Sequence, residues 1–594
     1  MGKILIRKGL IVAIIFLFVT SGIIPFSAHE IIEKLSQPYS KANILYVGGN
    51  GPGNYTKIQD AIDDSQPGDT IYVYDDSSPY YENIFISKSI NLIGEDLKNT
   101  VINGMGIDDP IWVNTSFVNI RSFTVVNSSI TGSSQGICLV DKKWHYPGDP
   151  YITLTNINIS DCIIKNNDVG IRLDNTMNVN VLNCTIESNV AHSIYNIYSR
   201  HVKIYQCNIS GNGEDLGNES GHPGGIVITN NPDLGNSEDI KIYNCNIKDN
   251  ILFGVAVDSG SSKIIINNNT INQNTFAGIF VSSSSGNLVK DIFIEDNFLL
   301  SNGQGYWSNA GITIQDCING ILIRNNNISY NNHSGIFASH SSGITLVNNF
   351  ISKNHHYGLY LTSSSIGRIN NNFIINNRGR YFVGLSNLLF RNTMTNHEGI
   401  DIFQQDGNSQ KNVIYHNNFI NNTQNAMDYG NNTWDDDYPS GGNYWDDYTG
   451  MDNYYGVDQN ESGPDGIGDT LYNFSDGTNQ DHYPLMLPYG MTNLTIKFVP
   501  KPFKSLISIK NVGSTTALNV HWLLTLNGGF LFCKREYSGI VKPLLPGEEI
   551  TLTPRFFLIG LGHIEVQISS WADNAPVVST KITGHLLLFF FFIR

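Results

Sequence analysis

The chain has 594 residues, more than one hydrophobic core usually supports, so more than one domain is expected. Charged residues make up only 15% of the sequence, against about 25% in an average domain. The formal net charge is −16, and an acidic surface argues against nucleic acid and anionic membranes as partners. Glycans, surface proteins and cations remain as expected partners.

The N-terminus reads as an export signal. Lys3, Arg7 and Lys8 form a basic segment, and an uncharged apolar run follows over residues 9–19. Small residues then lead to the end of a predicted signal peptide at residues 1–28. The alternative is an uncleaved membrane anchor, which would be the only expected membrane contact. Both interpretations place the remaining chain in an extracellular, cell-surface or periplasm-like space.

The first predicted elements form the start of a β-structure. Residues 56–59 resemble a capping box and predict a short helix whose apolar face carries Ile58, Ala61 and Ile62. A strand is predicted over residues 70–74. A helix placed over the open end of stacked strands hides an edge that would otherwise aggregate.

A repeat dominates the chain up to about residue 425. Each unit has an Asn-rich half, a Gly-Ile step and a Ser-rich turn, and Gly254 and Gly278 are 24 residues apart. Such short alternating strands cannot bury their apolar side alone, but stacked coils form a continuous core. We therefore predict a parallel β-helix over residues 42–425. The repeated Gly stands at positions 136, 170, 225, 254, 278, 311, 335 and 358.

Four cysteines occupy equivalent positions in successive units: Cys162, Cys184, Cys207 and Cys245. Stacked equivalent residues have parallel side-chain directions, which suit a disulfide poorly. We predict buried free thiols, with a stripe that binds a soft metal as the alternative.

Insertions into the repeat provide candidate ligand-binding residues. Trp144, His145 and Asp149 share one insertion, and Tyr306 and Trp307 share another. Aromatic rings beside polar groups are suited to stacking on sugars, and insertions in repeat proteins often build the functional face. The alternative is a pair of solvent-exposed loops.

A pair of histidines lies within the repeat, at the repeat spacing. His333 and His356 each precede the repeated Gly by two residues, so adjacent coils should stack them about 5 Å apart. With the neighbouring His355 they form a candidate copper or zinc site. The alternative is exposed turn histidines, because other units carry unrelated residues at this position.

The segment over residues 426–489 is rich in Asp, Tyr, Trp and Gly. Its candidate Ca²⁺ ligands are Asp458, Asn460, Asp465 and Asp469, because hard cations prefer several oxygen ligands from a tightly turning loop. The spacing departs from an EF-hand. The alternative is an acidic surface turn without metal.

Short predicted strands separated by turn residues such as Gly513 continue over residues 491–594. About 100 residues with this pattern suggest an Ig-like β-sandwich. The apolar run over residues 586–593 is too short to span a bilayer and is predicted to be the last strand.

Several motifs resemble a known superfamily. Gly-Asp-Thr-Ile-Tyr-Val at 68–73, followed by Glu-Asn-Ile at 82–84, is similar to the carbohydrate-binding and sugar-hydrolysis (CASH) and NosD-like branch of pectin-lyase-like proteins. Gly-Gly-Asn-Tyr-Trp-Asp-Asp-Tyr at 441–448 and Asp-His-Tyr-Pro-Leu-Met at 481–486 resemble the closing motif of NosD-like surface proteins. The resemblance implies a right-handed, single-stranded parallel β-helix in an all-β protein.

The resemblance is specific for fold and weaker for activity. NosD-like proteins are associated with copper delivery, which makes copper a second expected cofactor beside Ca²⁺. Asn511-Val512-Gly513 and Pro-Gly-Glu at 546–548 resemble CARDB-type sandwich modules.

Three functions are therefore considered. The first is a secreted or cell-surface β-helix protein that binds glycans or surface proteins. The second is a polysaccharide lyase, hydrolase or epimerase, although scattered carboxylates in the repeat predict no catalytic pair. The third is a NosD-like copper-handling protein. The first is preferred because the β-helix is well defined by the sequence and a catalytic set is not.

Overall fold

The computed structural model describes the chain from residue 42 onward, with gaps. The described ranges are 42–130, 134–142, 150–213, 224–231, 234–284, 287–303, 310–318, 320–362, 365–377, 381–382, 388–390, 392–395, 400–402, 413–422, 424–428, 432–474, 479–490, 492–499, 506–512, 517, 520–531, 535–541, 544–545, 547–552, 560–572, 575–588 and 590–593. Within these ranges no helix has the length and apolar character needed to cross a bilayer.

The fold is a parallel β-helix built from three long sheets, each receiving one strand from each coil. The strands of the first sheet are Ile44–Val47, Thr70–Val73, Asn91–Gly94, Asn119–Arg121, Leu154–Ser160, Thr176–Leu182, Arg200–Tyr205, Glu238–Tyr243, Ser262–Asn267, Lys290–Glu295, Ile321–Arg324, Ser342–Val347, Ser365–Asn370, Leu388–Phe390 and Val413–Tyr415.

The second and third sheets follow the same order along the axis. The second contains Ile84–Ile86, Ile111–Val113, Gln135–Leu139, Val169–Asp174, His192–Ile197, Gly224–Thr229, Phe253–Val257, Ala277–Ser282, Ala310–Gln315, Ser334–Ser339, Leu359–Thr362, Tyr381–Phe382, Ile400–Ile402 and Ala426–Asp428. The third contains Tyr80–Tyr81, Val101–Asn103, Thr124–Val126, Ile163–Lys165, Thr185–Glu187, Asn208–Ser210, Asn246–Lys248, Thr270–Asn272, Phe298–Leu300, Asn327–Ser329, Phe350–Ser352, Phe373–Ile375, Thr393–Thr395, Asn418–Ile420 and Tyr444–Trp445.

Equivalent residues stack from coil to coil. Ile240 pairs with Ile264 and Ile264 with Ile292, and all three side chains are fully buried. Alternate residues of a strand point to opposite faces, so one apolar row in each strand fills the interior. The predicted parallel β-helix is confirmed.

Two interior rows of asparagine satisfy the polar backbone at the corners. The Oδ1 of Asn274 accepts from the backbone and side-chain nitrogens of Asn250, at 3.2 and 3.0 Å, and its Nδ2 donates to Asn302 at 2.9 Å. Buried backbone N–H and C=O groups must find partners, and these rows supply them where the strands end. The row containing Asn274 comprises Asn167, Asn189, Asn212, Asn250, Asn274, Asn302, Asn331, Asn354 and Asn377.

The second row begins with cysteine and continues as asparagine. The predicted thiols Cys162, Cys184, Cys207 and Cys245 are buried and free, which confirms the predicted ladder. The backbone N–H of Cys245 donates to the side chain of Asn269, where the asparagine row starts. A thiol fills this corner position with little polarity, whereas asparagine adds hydrogen bonds.

Close contact between coils explains the repeated glycine. A Cβ on Gly254 would lie 2.6 Å from the carbonyl oxygen of Gly278 and 2.9 Å from Nδ2 of Asn274. Both distances are far inside normal contact, so a side chain here would push the coils or the asparagine row apart.

A short helix, α1 (Ile58–Asp64), covers the N-terminal end of the core with Ile58, Ala61 and Ile62 buried. The predicted capping box is wrong, because the residue before the helix is Lys57 and makes no side-chain cap. The Glu82 carboxylate instead accepts from the backbone N–H groups of Ile58 and Gln59, at 2.9 and 3.0 Å. A negatively charged carboxylate at the N-terminus of a helix also interacts favourably with the helix dipole.

The opposite end is closed by aromatic rings. The ring of Trp445 stacks between Phe419 and Tyr472, with centroids 4.2 Å from each, and Trp434 is buried beside it. Because Tyr444–Trp445 pairs with Asn418–Ile420, the segment beyond residue 425 contributes the last strand of the third sheet.

The Asp481 carboxylate holds this end in place. Its Oδ2 accepts from the N–H of Asn443 at 2.7 Å and from the indole of Trp445 at 2.8 Å, and its Oδ1 accepts from the N–H of Tyr483 at 3.1 Å. The side chain is fully buried. Burial outweighs these hydrogen bonds and raises the pKa of Asp481 to about 7.

Short antiparallel hairpins follow the last coil, formed by Tyr454–Tyr455 with Glu461–Ser462 and by Tyr472–Asn473 with Gln480–Asp481.

Two antiparallel sheets form the C-terminal region. One contains Leu494–Val499, Leu506–Asn511 and Glu549–Leu552, and the other contains Glu536–Val541, Val520–Leu531, Gly560–Ala572, Ala575–Leu588 and Phe590–Ile593. Side chains of both sheets share one core, which includes Ile507, Ile509, Leu524 and Val566. The arrangement fits the predicted sandwich, and the CARDB resemblance stays a prediction.

We expect Asn274→Leu to lower the free energy of unfolding by about 3 kcal/mol, because Asn250 loses its buried acceptor. Urea denaturation followed by tryptophan fluorescence measures the change. The matched control is Asn246→Ala, whose outward-facing amide donates to Asn208 at 2.9 Å and should cost less than about 1 kcal/mol. Equal losses in both variants would contradict the role assigned to the interior row.

The raised pKa of Asp481 predicts a pH-dependent contribution to stability. Its ordinary value is 3.8, so the unfolded chain loses this proton near pH 4 whereas the folded chain keeps it to about pH 7. The contribution is therefore largest below about pH 4 and is lost as the pH rises through about 7. We expect Asp481→Asn to remove this slope from the denaturation midpoint between pH 4 and 8. The same slope in Asp481→Asn and in the exposed control Asp436→Asn would refute the assignment.

Candidate functional site

The outer face of the second sheet carries two rows that run along the β-helix axis. A mostly polar row contains Asp174, Thr229, Ser282, Gln315 and Ser339. The row beside it contains Arg172. Most of its members are apolar, and several are buried although they point away from the core. The row is therefore covered over its later coils, whereas Phe85, Trp112, Arg172 and Tyr195 in its earlier coils are half-exposed. In coil order the row contains Phe85, Trp112, Cys138, Arg172, Tyr195, Val227, Ala256, Phe280, Thr313, Phe337 and Tyr360.

A polar cluster interrupts this row. The Nη2 atom of Arg172 lies 2.7 Å from Oδ2 of Asp174, and 30% of the Arg172 side chain is exposed. Burial opposes the charge of Arg172, but the Asp174 carboxylate outweighs it and raises the pKa of the guanidinium. The Nε atom of Arg172 is buried and has no hydrogen-bond partner among the described residues.

An aromatic pair lies in the next coil. Tyr195 stands directly beside Arg172 in the register, and its ring stacks on His192 with centroids 4.9 Å apart. Burial raises the pKa of Tyr195, the Arg172 charge lowers it, and the carboxylates of Asp174 and Asp258 raise it again. The phenol is therefore neutral at physiological pH. We call Arg172, Asp174, His192 and Tyr195 the Arg172 cluster.

The Arg172 cluster combines functions that suit a polyhydroxylated ligand. A guanidinium is a planar set of donors, a carboxylate is an acceptor, and a tyrosine ring offers an apolar face with a polar tip. Donor and acceptor side by side can bind neighbouring hydroxyl groups.

The sequence-predicted loop residues Trp144, His145, Asp149, Tyr306 and Trp307 lie outside the described residues. In the chain, each of these insertions is nevertheless adjacent to a strand of the second sheet. The first follows the strand Gln135–Leu139, and the second precedes the strand Ala310–Gln315.

The start of the first insertion is attached to the sheet. The indole of Trp112 donates to the carbonyl of Val140 at 2.9 Å, and the Asp141 carboxylate accepts from the N–H of Ile152 at 2.8 Å. Both chain ends of this insertion are therefore fixed beside the outward row.

The predicted histidine pair stacks as its spacing predicts. The rings of His333 and His356 have centroids 4.5 Å apart at 20°, and His355 is exposed. Burial, and then the proximity of His356, lowers the pKa of His333 to about 4. Its ring is neutral at physiological pH, the form that metal binding needs.

These histidines do not by themselves form a copper centre. Stacked rings direct their nitrogen lone pairs side by side rather than toward one point. In the described part of the chain, no group of three or more His, Cys, Asp or Glu side chains is arranged to hold a metal ion. The copper or zinc site stays a prediction.

The four predicted Ca²⁺ ligands lie in an exposed, hydrogen-bonded turn region. The Asp469 carboxylate accepts from the N–H groups of Asn453 and Tyr454 at 3.0 Å, and Asp465 accepts from the N–H of Ile467 at 3.0 Å. Asp458 and Asn460 are exposed. The Ca²⁺ site stays a prediction.

Sequence reasoning missed the Arg172 cluster and Asp481. Asp174 is one of many scattered acidic residues in the sequence, and its partner Arg172 becomes meaningful only once the strand is known to expose alternate residues. A charged residue at an outward position of a Gly-Ile-x-Leu strand is the signal that could have found it.

Comparisons with known proteins agree with this fold. Residues 46–299 match the family model described as right handed beta helix region. Residues 217–383 and 296–450 match the model described as periplasmic copper-binding protein (NosD). No curated protein sequence matches the chain.

Several solved structures are similar. The mannuronan C-5 epimerase AlgE6 A-module of Azotobacter vinelandii has 15% identity and a TM-score of 0.35, covering 63% of this chain and 92% of that chain. The surface adhesin PfbA of Streptococcus pneumoniae has 14% identity and a TM-score of 0.32, covering 57% and 88%. The GH87 alpha-1,3-glucanase catalytic unit of Streptomyces thermodiastaticus has 15% identity and a TM-score of 0.40, covering 67% and 69%.

Similarity at this level carries no information about activity. Together with the three parallel sheets, the match over residues 46–299 shows that this chain is a right-handed parallel β-helix protein, and its later coils are similar to the NosD model.

Proposed function

We propose that the protein is exported and binds glycans at the outer face of the second sheet, around the Arg172 cluster. The observation that carries the proposal is the ion pair of Arg172 and Asp174 beside Tyr195, where a largely apolar outward row lies next to a polar one. Polar groups among apolar side chains cost free energy unless they form hydrogen bonds or bind a ligand. Their presence here therefore favours a ligand.

The chemistry of the cluster supports a glycan rather than another ligand class. Sugars present an apolar C–H face and a rim of hydroxyl groups. Tyr195 can stack on the first, while Arg172 donates to and Asp174 accepts from the second. The net charge of −16 disfavours nucleic acid.

Export is supported by the basic and apolar pattern of residues 1–28 and by the periplasmic location named for the NosD family. A β-helix outside the cytoplasm would meet polysaccharides or glycosylated surface proteins. Both carry the sugar groups that the Arg172 cluster is proposed to bind.

We expect Arg172→Ala and Tyr195→Ala each to weaken glycan binding by about tenfold or more, because each removes contacts of roughly 1–3 kcal/mol. A glycan microarray identifies the strongest neutral and acidic ligands, and isothermal titration of the full chain measures their affinity. Reducing-end analysis of the incubated glycan distinguishes binding from turnover.

The matched control is Arg324→Ala. Arg324 lies on the first sheet and pairs with Glu295 at 2.9 Å, so it repeats the chemistry of Arg172 away from the cluster. The Arg324→Ala variant should therefore bind glycans as tightly as the wild type. Equal binding by all three variants, or no binding to any arrayed glycan, would refute the proposal. New reducing ends would make the protein a polysaccharide-active enzyme instead.

Copper handling is the second candidate function. The match to the NosD model covers both His333 and His356, and the neutral His333 ring is available as a ligand. A copper centre here requires an imidazole to rotate and further ligands to join, with the adjacent His355 as one source.

We expect a copper-handling protein to take up stoichiometric copper and to lose it in His333→Asn together with His356→Asn. Metal analysis after dialysis against Cu²⁺ measures the copper content, and the exposed His340, which lies in another turn, provides the control variant His340→Asn. Absence of bound copper in the wild type, or equal copper in the double variant, would exclude this site.

A further inference from the structure

The outer face of the first sheet begins with a cluster of tyrosine rings. Tyr46 and Tyr74 lie nearly parallel with centroids 5.9 Å apart, and Tyr72 packs edge-on against both, at 6.1 and 5.2 Å. Tyr46 is 39% exposed and the neighbouring Ile44 is 55% exposed. Rings in mutual contact form a platform rather than a cage, because no space is left between them.

A row of asparagine side chains runs along the axis on the same face, two residues to the side of the row that contains Tyr46 and Tyr72. The register places Ile44, Thr70, Asn91, Asn119, Asn158 and Asn180 in one outward row. Each amide donates to the preceding coil: Asn119 to Asn91 at 2.6 Å, Asn158 to Asn119 at 2.6 Å and Asn180 to Asn158 at 2.7 Å.

The amide row keeps hydrogen-bonding capacity for a ligand. A primary amide has two N–H donors and two acceptor lone pairs. Asn119 and Asn158 each use one N–H and one lone pair within the row. One donor and one acceptor per amide therefore remain, repeated at the coil spacing of about 4.8 Å.

The platform and the amide row carry no formal charge. Burial, and then the carboxylate of Glu95, raises the pKa of Tyr72, so this phenol stays neutral. The nearest basic side chain, Arg121, is paired with Asp161 at 3.0 Å. Lysine enters the outward row only at Lys203, one coil beyond Asn180. The other charges beside the tyrosines are the carboxylates of Glu95 and Asp75, which repel polyanions and an anionic membrane.

We propose that this face is a second binding site, which takes a neutral polysaccharide chain running along the axis. Aromatic rings pack on the C–H faces of sugar rings, and regularly spaced amides bind hydroxyl groups that repeat along a polymer. A repeating array of neutral amides beside aromatic rings matches a repeating neutral polymer better than the irregular surface of a globular protein. The site is separate from the Arg172 cluster and does not depend on glycan binding there.

The test is affinity electrophoresis of the purified full chain in gels that contain a soluble β-glucan, dextran or mannan, with alginate as the polyanion. We expect retardation by at least one neutral polymer. Tyr46→Ala combined with Tyr74→Ala should lower the association constant by about tenfold or more. Tyr46→Phe combined with Tyr74→Phe keeps the ring faces and should retain most of the affinity.

Two controls separate this site from folding defects and from the proposed function. Tyr330→Ala removes an exposed tyrosine from another corner and should bind normally, and thermal melts check that each variant is folded. Arg324→Ala lies outside both sites and should also keep its neutral-polymer retardation. Loss of retardation in the Tyr46→Ala/Tyr74→Ala variant, with full glycan binding in Arg172→Ala, would refute the Arg172 cluster and leave this inference standing.

Three outcomes overturn the inference. One is no retardation by any of the three neutral polymers, and a second is equal retardation of the wild type and the Tyr46→Ala/Tyr74→Ala variant. The third is a concentration-dependent dimer in sedimentation that dissociates in this variant, which would assign the platform to a second copy of the chain.

Discussion

Hydrogen bonding between successive coils is the constraint on which the rest of this structure depends. Each strand has its partners one coil above and one coil below, so every corner must also satisfy its backbone groups at the same spacing. The asparagine rows do this by accepting one backbone N–H and donating to a neighbouring carbonyl, as Asn274 does with Asn250 and Ile247. The repeated glycine follows, because Gly254 leaves room for the Asn274 amide.

The same constraint explains the two ends of the β-helix, where one neighbouring coil is missing. At each end a carboxylate accepts backbone N–H groups. Glu82 accepts from the first backbone N–H groups of α1, and Asp481 accepts from the backbone N–H groups of Asn443 and Tyr483. They differ in environment, since Asp481 is fully buried and bears a strong desolvation cost while Glu82 is partly solvated. The raised pKa of Asp481 makes the stability of the C-terminal end depend on pH.

The sequence predicts what the repeat enforces locally and misses what distant residues contribute. The Gly and Asn periodicity predicts the coils, the cysteine ladder and the stacking of His333 on His356, because each depends only on equivalent positions. The cap of α1 escapes prediction, since Glu82 lies 24 residues from Ile58 in sequence. The Arg172 cluster escapes for a related reason. Arg172 and Tyr195 are 23 positions apart and become neighbours only when the register is known.

Stacking in the core fixes the residue types of the inward rows, whereas the residue types of the outward rows differ from sheet to sheet. The candidate binding residues therefore lie on the outer faces. The second sheet presents the ion pair of Arg172 and Asp174 beside a tyrosine ring on its outer face, a geometry suited to selecting a few hydroxyl groups. The first sheet presents exposed rings and amides at constant spacing, a geometry suited to a long polymer. Because both faces are built on the same rigid coils, a change in one outward row need not disturb the other. Two proposed glycan-binding surfaces on one β-helix are therefore compatible with a single interior pattern that repeats from coil to coil.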